Sequence, residues 1–154
     1  MQHVIRPRWG MGALRLGMTR PEVLRVLGEP DHIEEDDEAG AMRVGWHYDR
    51  FELSLYFDED CDDRVTLIIT ESASAQLGSA FPIGMRAEEA VRALRELGEL
   101  VRDDEVSNEG LDFYSLAEAS VGLLFADGVC ESVDIAAYKD EDGETVWPEA
   151  DAPA

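Results

Sequence analysis

The sequence predicts an α+β protein: a tandem repeat in which each half is one helix plus an antiparallel sheet of about four strands, with helices on one side and a concave sheet surface on the other. Three observations predict it. An apolar-Gly-Met entry into an amphipathic helix occurs twice, as Leu16-Gly17-Met18 and as Ile83-Gly84-Met85. Runs of alternating apolar and polar residues follow each copy. Turn signals, of which Asp127-Gly128 is the clearest, separate those runs.

Residues 1–13 read as an N-terminal segment and 14–72 as the first repeat. Thr19 and Glu22 are spaced as a capping box, Met18 is placed to staple onto Val23, and Gly28 with Pro30 ends the helix. Val23, Leu24 and Leu27 give that helix one apolar face. Met42, Val44, Trp46 and Tyr48, then Phe51, Leu53, Leu55 and Phe57, mark the inward positions of two strands, and Val65, Leu67 and Ile69 those of another. Residues 32–36 and 100–104 supply a weaker first strand to each sheet. A small, polar linker occupies 73–80, and the second repeat spans 81–139. There Ala90, Val91, Leu94 and Leu97 form the helical stripe, followed by strands at 111–116, 121–125 and 133–137. The acidic C-terminal tail, 140–154, contains Pro148 and Pro153 and reads as mobile, with Trp147 placed to tack part of it down.

With 13 basic and 35 acidic residues the net charge is −22. Such a field repels phosphate backbones and anionic head groups, so nucleic-acid and membrane-surface partners are disfavoured and a basic protein partner is favoured. Cys61 and Cys130 are too few for a disulfide framework or a zinc site. No apolar run is long enough to span a bilayer, and a cytoplasmic protein without a cofactor is expected.

The segment running from Leu16-Gly17-Met18-Thr19-Arg20-Pro21-Glu22-Val23 to Leu27-Gly28-Glu29-Pro30, followed by strands ending in Leu55-Tyr56-Phe57-Asp58, resembles the SmpA/OmlA-like fold. Two such units in tandem, from about residue 14 to 138, look like the β-lactamase inhibitory protein family, the BLIP-like fold. The resemblance implies a protein-binding scaffold with a concave sheet surface and helices behind it. The lipidated cysteine of the first group and the intra-repeat disulfides of the second have no counterpart here.

Catalytic candidates are sparse. His47 lies in a strand opposite in parity to Trp46, and Cys61 sits in an acidic loop, a poor setting for a thiolate nucleophile. The acidic loop at 58–63 suggests a cation, but Asp63 and Ile69 stand where an EF-hand requires glycine and glutamate. The outward parity instead gives Arg43, His47, Glu52, Tyr56, Thr66 and Ile68 in the first half. In the second it gives Asp112, Tyr114, Leu116, Leu124, Asp134 and Tyr138. Tyrosines among acids suit a protein interface. The expected function is therefore a non-catalytic binding module, an inhibitor or immunity-type protein that neutralises a basic enzyme or toxin. The alternatives are a small metal-dependent hydrolase using the 58–63 loop, or a structural protein that oligomerises through its sheet edges.

Overall fold

The computed structural model describes residues 3–38 and 40–151. Strands β1 (Val4–Arg6), β2 (Gly10–Met11) and β3 (Leu14–Arg15) precede helix α1 (Arg20–Leu27). Strands β4 (His32–Glu38), β5 (Ala41–Tyr48), β6 (Leu53–Asp58), β7 (Arg64–Thr70) and β8 (Gln76–Leu77) follow. Helix α2 (Ala87–Ala93) leads into β9 (Val101–Asn108), β10 (Leu111–Leu116), β11 (Val121–Ala126) and β12 (Val129–Ala136). A hairpin of β13 (Tyr138–Lys139) and β14 (Thr145–Val146) comes last.

This corrects the expected fold class. Among the described residues 48% lie in strands and 18% in helix, so the protein is mostly β rather than a tandem of helix-plus-sheet units. One antiparallel sheet of eight strands, in the order β4-β5-β6-β7-β12-β11-β10-β9, runs through both halves. The join is the β7–β12 pair, with Val133 opposite Thr70 and Ala136 opposite Leu67. Both strands are rich in β-branched residues, and pairing them satisfies two rows of backbone groups that separate sheets would have left as open edges.

One face of this sheet is covered. Helices α1 and α2 and a small sheet of order β3-β2-β1-β8 pack on it, and all of them share one hydrophobic core. Ile5, Met11, Leu14 and Leu77 of the small sheet, Val23 and Leu27 of α1, and Ala90 of α2 meet Val44, Trp46, Leu55, Phe57, Ile68, Leu123, Phe125 and Ile135 of the large sheet. Trp46 and Phe57 pack edge to face with ring centroids 4.8 Å apart. Each such fully buried side chain stabilises the fold by about 1.5–3 kcal/mol.

Local chemistry fixes the ends of α1. The Thr19 amide and hydroxyl both donate to the Glu22 carboxylate, at 3.1 and 3.0 Å. Gly28, at φ +79°, stops the helix, and its carbonyl accepts from the Tyr48 hydroxyl at 2.9 Å. The Arg50 guanidinium donates to the Leu27 and Glu29 carbonyls, satisfying acceptors that the helix end leaves open. Helix α2 stops earlier than its stripe predicts: Leu94 leaves helical geometry and a 3-10 turn at Arg95–Leu97 follows.

Residues 140–151 of the acidic tail are docked rather than loose. Asp140 accepts from the Asp142 and Glu144 amides, closing the β13–β14 turn. Trp147 rests on Gly17, where a Cβ would lie 2.9 Å from its ring, and the Trp9 indole donates to the Glu149 carbonyl at 2.9 Å. Among the described residues no helix is long and apolar enough to cross a membrane.

A candidate docking face

Among the described residues, no second layer packs on the other face of the eight-stranded sheet. Register places one row across all eight strands on it: His32, His47, Ser54, Ile69, Asp134, Gly122, Ser115 and Val101. Neighbouring rows place Gly45, Tyr56, Leu67 and Ala136 on one side, and Leu124 and Phe113 on the other. Leu67 and Ile69 of β7, and Leu124 and Phe113 of β11 and β10, are partly buried and belong to no part of the core, with β12 between the two pairs. They form an apolar band with Tyr56 at one end.

Tyr56 is set by its surroundings. Its ring fills the space above Gly45, Arg43 lies 4.9 Å from its centroid, and His47 meets it edge-on at 6.0 Å. Burial raises its phenol pKa, Glu34 pushes the same way, and Arg43 opposes. Arg43 is held in turn by Asp58, at 3.3 Å. Across the sheet Asp134 lies over Gly122 as Tyr56 lies over Gly45. Burial raises the Asp134 carboxyl pKa, and only the amides of Asp134 and Gly122 counter it.

Both flanks of the face are acidic. Edge strand β4 carries Glu34, Glu35, Asp36 and Asp37, and edge strand β9 carries Asp103, Asp104 and Glu105, nearly all exposed. Charged edges block sheet-to-sheet growth, and here they also surround the apolar band with negative potential.

The nine residues expected to form the interface divide. Arg43, His47, Tyr56 and Asp134 share the open face. Glu52 sits beside it in a left-handed turn, φ +51°, lining a cleft of about 530 Å³ with His32, Glu34, His47, Ser54 and Glu71. The other four are elsewhere. Ile68 is fully buried in the core, opposite Leu55, because a bulge at Thr66 inserts one residue into β7 and reverses parity after it. Asp112 and Tyr114 point to the covered face: Leu116 is buried against Val121, which fixes β10 in that phase, and Tyr114 packs edge to face on Phe125 at 5.0 Å. Asp112 pairs there with Arg102 at 2.9 Å. Tyr138 lies in the terminal hairpin, with the Arg8 guanidinium 3.9 Å above its ring. Sequence parity places Leu67 and Ile69 inward; the bulge turns them out, and the buried Leu116 puts Phe113 on the open face.

Two polar clusters lie on or beside this face. The His47 Nδ1 lies 2.7 Å from the Ser54 hydroxyl, and Glu34 is 3.6 Å from Nε2. However, Ser54 is a mid-strand residue whose backbone neighbours are committed to the ladder, and the Glu52 and Glu71 carboxylates in the same cleft would oppose an oxyanion. In the 58–63 loop three of the five carboxylates have partners: Asp58 has Arg43 and Thr66, Glu59 the Met42 amide, and Asp63 has Arg20 at 2.8 Å. Among the described residues no three metal-ligating side chains converge. No protein-family model, curated protein or solved structure matches this chain.

Proposed function

We propose that this protein is a binding module that docks a basic protein partner on the open face of its eight-stranded sheet, as an inhibitor or immunity-type protein would. One observation carries the reading: an uncovered apolar band of Leu67, Ile69, Leu124 and Phe113, with Tyr56 at its end, lies between two acidic edge strands. Aromatic and aliphatic anchors provide affinity once water is excluded, and surrounding charge sets partner choice and encounter rate. With a net charge of −22, the complementary surface is positive.

The test is affinity capture from cell lysate with the wild-type chain, Tyr56→Ala, Leu124→Ala and, as a control on exposed α2, Glu88→Gln. The expected result is a basic protein bound by wild type and control, released as salt rises, and weakened about tenfold or more by each open-face change. A partner retained equally by all four chains contradicts the reading.

A further inference from the structure

We infer that the partner seats an arginine or lysine, flanked by apolar side chains, on Asp134 at the middle of the open face. The inference rests on the docking proposal above and specifies its anchor.

Asp134 differs from the other acids near the face in its setting, partly buried on a central strand. The chain pairs its arginines with carboxylates at several positions: Arg43 with Asp58, Arg20 with Asp63, Arg50 with Asp31 and Arg102 with Asp112. Among the described residues Asp134 has no such partner, and only the backbone amides of Asp134 and Gly122 serve its carboxylate. Its neighbours across the sheet are Ile69 and Gly122, and those along its own strand are Ser132 and Ala136, none of them charged. It therefore stands as a carboxylate within the apolar band, on a central strand far from the acidic edges.

Covering the face with an apolar surface alone would strip the remaining water from this carboxylate and strongly oppose docking. A cation placed against it converts that penalty into a charge-assisted contact. The glycine at 122 lets the Asp134 carboxylate lie flat across β11, in the space a side chain there would fill. A second copy of this chain is a poor occupant because both copies carry −22.

A phage-displayed random peptide library panned on the full chain provides the test. Enriched peptides should carry arginine or lysine beside aliphatic or aromatic residues. Asp134→Asn should weaken them about tenfold or more and flatten their salt dependence, while its thermal midpoint stays at or above that of wild type. If Leu124→Ala weakens the peptides and Asp134→Asn does not, the anchor is wrong and the docking face stands. If neither substitution weakens them, the face itself is wrong. Enrichment of peptides without basic residues, or of none, also overturns the inference.

Discussion

The Tyr56 ring occupies the space that a side chain at Gly45 would need: a Cβ there would lie 2.8 Å from the tyrosine Cε1. A glycine on the central part of β5 thus lets an aromatic ring fold down across the ladder, held between Arg43 and His47. Gly45→Ala should displace the ring and destabilise the fold by about 1–3 kcal/mol through overpacking. Chemical denaturation would measure the loss. Absorbance titration should show the Tyr56 phenol moving back toward its ordinary pKa as it becomes more exposed.

Tyr48 provides a second titration marker. It is fully buried, donates to the Gly28 carbonyl, and its phenol is pushed up to about 12 by burial. The folded state therefore favours the neutral form. Stability from this group is complete below the ordinary pKa of 10 and is lost as pH rises toward 12. Tyr48→Phe should remove that part of the alkaline decline while costing about 1 kcal/mol at neutral pH for the lost bond. Urea midpoints at pH 8 and pH 11 would test it.

The capping pair has the opposite sign. Bonds from the Thr19 amide and hydroxyl hold the Glu22 carboxyl below its ordinary pKa. The stability they provide is present above the unfolded-state value and lost as pH falls through the lowered native one. Thr19→Ala should destabilise the protein by about 1 kcal/mol at pH 7, and the difference from wild type should shrink toward pH 3.

Asp134 should weaken the free protein. Burial raises its carboxyl pKa, so the native state binds the proton more tightly than the unfolded chain does. Stability falls as pH rises from the ordinary carboxylate range through the raised value and stays reduced above it. Asp134→Asn should raise the thermal midpoint at pH 7 and leave it little changed at pH 3. A lower midpoint at pH 7 would show that the carboxylate is well accommodated.

Local signals in the sequence were readable. The Thr19 and Glu22 pair, the stop at Gly28 and the Asp127-Gly128 turn, at φ +50° and +84°, all lie within a few residues of what they determine. The alternation through Leu53, Leu55 and Phe57 likewise identified a strand and its buried side. Long-range pairing was not readable. The β7–β12 contact joins residues far apart in the chain, and nothing near Thr70 or Val133 marks it. The open face failed for a narrower reason: one inserted residue at Thr66 moves Leu67 and Ile69 outward and Ile68 inward, and a two-residue period does not register a bulge. Strands β1, β2 and β3 are too short to stand out and exist because the core receives Ile5, Met11 and Leu14.

Alkylation of single cysteines at Leu67, Ile68 and Ile69, in a Cys61→Ser background that leaves only the buried Cys130, tests the central claim most directly. In the uncomplexed chain, Leu67→Cys and Ile69→Cys should react about tenfold or more faster than Ile68→Cys, and both should become protected when the captured partner is added. Fastest reaction at Ile68→Cys, or no protection at 67 and 69 in the complex, would contradict an open sheet face as the docking surface.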